Sequence, residues 1–294
     1  MTVIFMDELS HSVEQDTLVL TGTGLVTGKP VRVEIEPAPA GHGVVFYLDG
    51  DLPIPARLES VVNTMRGVTL GHLVNGEPSG KFVTLVEHFL AAAMLAGQSD
   101  LAVSVYGEAT ELPILDGSAA EWYQALVTRF GKLPVAATVD LPQAVFYRHS
   151  DDTLLYALPA EHFQVTYAVD FDHPDLTHRW VRWDALHDGP QSLVAAGTFG
   201  HVKELPVLQA MGLARGVTQE NTLGLTDEGG YTRELRMDDE PIYHKIIDLI
   251  GDLSLMGLNP LSLKAHIFAI KAGHGSHTKF AARLLRGIPV RPEK

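Results

Sequence analysis

His244, Asp248 and Asp252 recur at intervals of four in the stretch EPIYHKIIDLIGDLSLMG. On a helix that spacing stacks one imidazole and two carboxylates along a single face. The positions between them include Ile246, Ile247, Leu249, Ile250, Leu253 and Leu255, so the helix is apolar nearly all round and reads as buried. Two unpaired carboxylates in such surroundings would cost several kcal/mol, and a bound cation removes that cost. Taken alone, the stripe has a competing reading as the solvated polar face of an amphipathic helix.

Three further stretches carry candidate chemistry. In TLVEHFLAAAMLAG, Glu87 stands next to His88. A carboxylate beside a metal-ligating histidine suits a general base that reaches a metal-activated water without ligating the metal. In KAGHGSH, His274 lies between two glycines at the end of a strand, where it reads either as a catalytic acid at a cleft or as an exposed turn residue. Thr198, in AGTFG, offers a hydroxyl in a glycine-bounded loop beside Phe199. ELPILDGSA reads as a tight turn into a helix, with Ser118 as its N-cap.

The elements that must hold these residues alternate along the chain. Strands are expected at Thr17–Thr21, Val31–Ile35 and Gly43–Tyr47, then a helix over Val83–Gly97, a strand at Asp100–Tyr106 and a helix over Ser118–Phe130. Gly131–Pro142 is the expected domain boundary, separating an N-terminal α+β domain over 1–133 from a C-terminal one over 140–294. Beyond it come strands at Ala144–Arg148, Thr153–Ala157 and Val165–Phe171. A helix over Glu240–Met256, a strand at Lys264–Ile270 and a helix over His277–Arg286 complete the pattern. Each half thus runs through strands, a helix ended by glycine, a strand and a last helix, which predicts an internal duplication of fold. Two unrelated α+β domains are the alternative.

Composition narrows the chemistry. The chain has 294 residues, 46% of them hydrophobic, with 27 glycines and 17 prolines dispersed along it, the profile of a globular protein. Its formal net charge of −14, with no run of Lys or Arg, argues against nucleic acid and anionic membranes as partners. No cysteine is present, so thiolate ligands and disulfides are excluded and a metal must be held by histidine and carboxylate. MTVIFMDELSHSVEQD lacks the basic start and apolar core of a signal peptide, and no segment has the roughly 18–20 apolar residues of a membrane span. A soluble, cytoplasmic protein is expected.

Taken in order, the motifs resemble one family: the zinc-dependent UDP-3-O-acyl-N-acetylglucosamine deacetylases of lipid A biosynthesis. The matching stretches are TGTGLVTGKPV, EPAPAGHGVVF, TLVEHFLAA, ELPILDGSA, FDHP, TFG, DDEPIYHKIIDLIGDLSLMG and KAGH, spread over nearly the whole chain. The resemblance implies an α+β fold of two similar domains, each a β-sheet with helices, packed with the helices between the sheets. It implies His88, His244 and Asp248 as ligands of Zn²⁺, with Fe²⁺ the alternative for the same donor set. Glu87 would be the general base, His274 the acid for the leaving amine, Asp252 its orienting carboxylate and Thr198 a donor to the oxyanion. Lys245 and Phe199 would contact the nucleotide part of a small, UDP-linked, acylated amino sugar. The reaction implied is hydrolysis of the N-acetyl amide with release of acetate, by a monomer without stable membrane insertion.

The chain departs from the family pattern on the substrate side. Val26 replaces the histidine of the usual GLHSG turn, Gly197 stands where arginine usually precedes TFG, and Tyr243 stands where arginine often precedes the His-Lys pair. The glycine-rich GGSxDN stretch survives only faintly, in Gly216–Asn221. Fewer cations should weaken binding of a diphosphate, so the alternative is a deacetylase of the same mechanism acting on another N-acetylated sugar or lipid. Glu204–Gly216, rich in Leu, Val and Met, is a candidate wall for an acyl passage or an ordinary packed helix.

Overall fold

A computed structural model describes residues 17–135 and 138–288. The first sixteen residues, whose composition bore on export, and residues 136 and 137 within the expected boundary lie outside the described set.

The chain opens with the hairpin of β1 (Leu18–Thr23) and β2 (Pro30–Pro37), followed by β3 (Val44–Leu48) and β4 (Leu52–Pro55). A small antiparallel sheet comes next, formed by β5 (Val61–Asn63), β6 (Thr69–Val74) and β7 (Glu77–Thr84). Helix α1 (Glu87–Leu95) leads to β8 (Leu101–Tyr106) and then to α2 (Ala120–Phe130). Strand β8 inserts between the two hairpins, antiparallel to β2 and parallel to β3, giving the order β1-β2-β8-β3-β4.

The second half repeats this plan. After the short β9 (Val139–Asp140) come β10 (Val145–Arg148) and β11 (Leu154–Pro159), then β12 (Gln164–Val169) and β13 (Arg179–Asp184). The crossover carries the short helix α3 (Gln191–Val194), β14 (Phe199–His201), α4 (Leu205–Ala210) and β15 (Leu223–Leu225). Helix α5 (Glu240–Ser254), β16 (Leu263–Ile270) and α6 (His274–Leu285) complete it. Strand β16 inserts antiparallel to β11 and parallel to β12, in the order β10-β11-β16-β12-β13. The expected duplication is therefore present in the topology: in each half a helix feeds a central strand placed between two hairpins.

Each sheet buries one face. Leu101, Val103 and Val105 alternate inward on β8, and Leu263, Ala265, Ile267 and Ala269 do so on β16. Both faces meet the helices, which fill the space between the sheets: an α+β fold with α1 and α5 back to back at its centre. An added Cβ on Gly251 of α5 would lie 2.2 Å from the Glu87 carbonyl oxygen of α1, so only glycine permits this closeness.

Three expected boundaries need correction. Val83 and Thr84 belong to β7, and Leu85 turns the chain through a left-handed φ of 58° before α1 starts at Glu87. His274 is not in a loop but is the first residue of α6, which begins there and not at His277. The polar HGSH run reads as loop, yet Ser276 Oγ accepts the Gly273 N–H at 2.9 Å and stabilises a helical start. Helix α2 starts at Ala120, two residues past the expected N-cap Ser118, and its N-cap position is Ala119, although the Ser118 hydroxyl does accept the Ala120 N–H at 3.0 Å. The small sheet of β5–β7 was not anticipated, because its strands are mostly exposed and lack a clean alternation.

Candidate metal centre

The crossing of α1 and α5 brings the two expected ligand-bearing helices together. His88 from α1 and His244 and Asp248 from α5 are all buried, and one ligand atom from each lies within 4.8 Å of the others. The imidazole rings stand nearly perpendicular at 82°, with centroids 4.8 Å apart. Asp248 Oδ1 is 3.4 Å from His244 Nε2 and 3.7 Å from His88 Nε2, and it has no hydrogen-bond partner among the described residues. A buried carboxylate oxygen left unpaired between two imidazole nitrogens is the environment a cation would satisfy.

The surrounding groups prepare these donors. The Ala196 carbonyl accepts a hydrogen bond from His244 Nδ1 at 3.0 Å, which leaves the Nε2 lone pair free for a metal. Burial lowers His244 below its ordinary value and pushes His88 down to about 3, so both rings are neutral at pH 7. Burial opposes the charge on Asp248, but Lys245, His244, His274 and His88 outweigh it and hold the carboxyl well below its ordinary range. The set therefore consists of two neutral imidazoles and one carboxylate, the N/O chemistry that suits zinc and its neighbours.

The expected acid and base flank this cluster. Val68 N–H donates to Glu87 Oε2 at 3.0 Å, and Glu87 Oε1 lies 3.8 Å from His274 Nε2. His274 Nε2 is also 3.8 Å from Asp248 Oδ2, so it overlooks the ligand cluster. Burial raises Glu87 to about 7; His274 opposes the rise, and Asp252 and Asp248 add to it. Burial alone would lower His274, but Asp252, Asp248 and Glu87 hold it up to about 9. Behind it, Asp252 Oδ2 accepts from His274 Nδ1 at 2.8 Å, the orienting contact anticipated for this pair.

Sequence reasoning missed His277. Its Nδ1 lies 2.8 Å from the same Asp252 oxygen, and its Nε2 lies 2.8 Å from the Tyr167 hydroxyl, which donates to the Ala272 carbonyl. Once α6 is known to begin at His274, the i,i+3 spacing places His277 on the same face. Without that start, the sequence held no signal for it.

Two of the remaining candidates border a cavity of about 470 Å³ beside the cluster. Thr198 and Phe199 line it, and Phe199 packs edge-on against His244 at 6.1 Å. Its apolar wall includes Leu205, Leu208 and Leu213 from the Glu204–Gly216 stretch, with Leu25 and Val26 from the β1–β2 turn. The β1–β2 turn is held by Glu111, whose carboxylate accepts the backbone N–H groups of Val26 and Thr27. Lys245 places its Nζ on Asp248 Oδ2 at 2.5 Å. Gly197 donates its N–H to the buried Glu240, and a Cβ there would meet the guanidinium groups of Arg233 and Arg236 at 3.0 and 3.2 Å. Two cations thus occupy the neighbourhood of the residue before TFG, tied to Glu240 and Asp116.

Comparison with known proteins agrees with this geometry. A family model described as UDP-3-O-acyl N-acetylglycosamine deacetylase matches residues 12–286. The UDP-3-O-acyl-N-acetylglucosamine deacetylase of Trichormus variabilis is 35% identical over 283 residues, covering 92% of this chain and 96% of the relative. The enzyme of the same name from Leptospira biflexa is 34% identical, covering 93% and 89%. That of Synechocystis is 33% identical, covering 94% and 98%. With a match of this extent and the ligand cluster in place, the chain belongs to the UDP-3-O-acyl N-acetylglycosamine deacetylase family.

Proposed function

We propose that the site hydrolyses the N-acetyl amide of UDP-3-O-acyl-N-acetylglucosamine and releases acetate, using a divalent metal held by His88, His244 and Asp248. This deacetylation is a step of lipid A biosynthesis, and the family is one of metalloenzymes. The observation that carries the reading is the unpaired Asp248 Oδ1 facing two imidazole nitrogens, with Glu87 and His274 beside it. When bound, the ion supplies Lewis acidity to a water and to the amide carbonyl. Zinc is the ion proposed, with iron(II) compatible with the same donors.

The chain's own residues supply the rest. Glu87, held by Val68 N–H and poised near neutrality, takes the proton of the attacking water. His274 carries a proton on Nε2 toward the reacting centre and delivers it to the leaving nitrogen, while Asp252 fixes its ring through Nδ1. Thr198, which lines the cavity, serves as donor to the developing oxyanion. The apolar cavity receives the acyl chain, and Phe199 and Lys245 contact the nucleotide part. The domains divide at 1–133 and 140–294, so that each contributes one ligand-bearing helix. Cytoplasmic residence and a monomeric state complete the proposal.

The test is acetate release from UDP-3-O-acyl-N-acetylglucosamine beside the same acylated sugar without its nucleotide. Turnover that requires the nucleotide supports the assignment. Equal turnover of both would move the specificity to another N-acetylated sugar.

A further inference from the structure

A second cluster of ligand-type side chains lies away from the α1–α5 crossing, at the open end of the β12–β13 hairpin. Gln164 pairs with Asp184 at that end, so His162 lies two residues before the paired region and His187 three residues after it. His162, Asp184 and His187 each bring one ligand atom to within 4.8 Å of the others. His162 Nε2 lies 2.8 Å from Asp184 Oδ1, and the two imidazole rings stand at 84° with centroids 5.6 Å apart. The donor set, two imidazoles and one buried carboxylate with near-perpendicular rings, is the one found at the α1–α5 crossing.

The supporting contacts hold the donors in place. Asp184 Oδ1 accepts the backbone N–H groups of Leu186 and His187, and Arg182 donates to Oδ2 at 3.0 Å. The same guanidinium donates to Gln164 Oε1 at 2.8 Å, which turns the Gln164 amide nitrogen toward His162 Nε2 at 3.0 Å. His162 Nε2 thus has two polar neighbours, the Gln164 amide and Asp184 Oδ1, and its neutral ring has one lone pair there, which an entering ion would take in place of the Gln164 contact. Burial works against the charge on Asp184, but its contacts with His162 and the Leu186 and His187 amides hold it ionised below the ordinary range. His187 is exposed and His162 only partly covered, so an ion can enter from solvent.

We propose that His162, Asp184 and His187 form a second divalent-metal site that clips the open end of the β12–β13 hairpin. Two imidazoles and one carboxylate select a zinc-like late first-row ion over magnesium or calcium, which prefer all-oxygen shells. With one ligand exposed, the ion exchanges more readily than one at the buried centre.

The test is zinc content of the full chain after dialysis against buffered low-micromolar Zn²⁺, for the parent, His187→Ala, His162→Gln and His88→Ala. Two ions per parent chain are expected. His187→Ala and His162→Gln should each retain one ion with deacetylase turnover unchanged, and His88→Ala should retain the outer ion alone. Arg182→Ala should weaken the outer site about 10–100-fold, as loss of a supporting hydrogen bond does. A single ion lost in His88→Ala but kept in both outer variants would overturn the outer site. A single ion with the reverse pattern would support it and count against the buried centre. Two ions retained in both outer variants would also overturn it.

Discussion

Glu87 and His274 face one another at 3.8 Å, and the proposed roles of base and acid require opposite protonation states of them. Burial raises Glu87 to about 7, whereas Asp252, Asp248 and Glu87 together overcome burial and hold His274 up to about 9. The base must be ionised and the acid protonated, so kcat/KM should rise with pH through the Glu87 value and fall through that of His274. A bound dication favours the carboxylate and disfavours the imidazolium, so both limbs should lie at or below those values in the metal-loaded enzyme. Asp252→Asn keeps the shape but removes the charge that holds the His274 proton. The alkaline limb should then move to lower pH, with kcat reduced by up to about 10⁴-fold, the loss seen when the orienting carboxylate of a catalytic triad is neutralised. An unmoved limb would remove Asp252 from this role.

At the level of elements, the decisive feature is the closeness of α1 and α5. Gly251 lies between Asp248, the proposed ligand, and Asp252, the proposed orienting carboxylate, and a methyl there would strike the Glu87 backbone, which cannot swing aside. Gly251→Ala should therefore destabilise the fold by about 1–3 kcal/mol, as overpacking does. Activity should fall more than stability explains, because the shift separates Glu87 and His88 from their partners; denaturant melts beside activity would show it. Helix α5 was legible in the sequence because its apolar positions and four-residue stripe agree with one period. The start of α1 was not, because Val83 and Thr84 suit a strand and a left-handed Leu85 makes the turn. His277 and the Ala196 carbonyl stayed hidden for a related reason. Their parts depend on where α6 begins and on how the 195–200 loop meets α5, contacts between segments far apart in sequence.

Across the whole molecule, one buried centre joins the two halves, with His88 from the first and His244 and Asp248 from the second. The duplicated topology was readable from the repeated order of strands and helices, since each half carries the same succession of periods. The cavity was readable only as a candidate wall, because its other side is built from the β1–β2 turn. An ion that binds the folded chain alone should stabilise it by about 4 kcal/mol at a thousandfold excess over its Kd. Chelation should accordingly lower the unfolding midpoint by on the order of 10 °C. Asp248→Ala, lacking a ligand, should melt at a midpoint insensitive to chelator acting on the buried centre.

The proposed reaction at this centre is deacetylation of the UDP-linked acylated sugar through Glu87 and His274. The most direct measurement is acetate release from UDP-3-O-acyl-N-acetylglucosamine by the zinc-loaded parent beside Glu87→Ala and His274→Ala, with metal content determined in all three. Turnover by the parent is expected, with losses on the order of 10²–10⁴-fold in each variant, the range of general acid–base catalysis, and with the buried ion retained. A parent that binds the ion but releases no acetate, or variants that turn over at the parent's rate, would contradict the proposal.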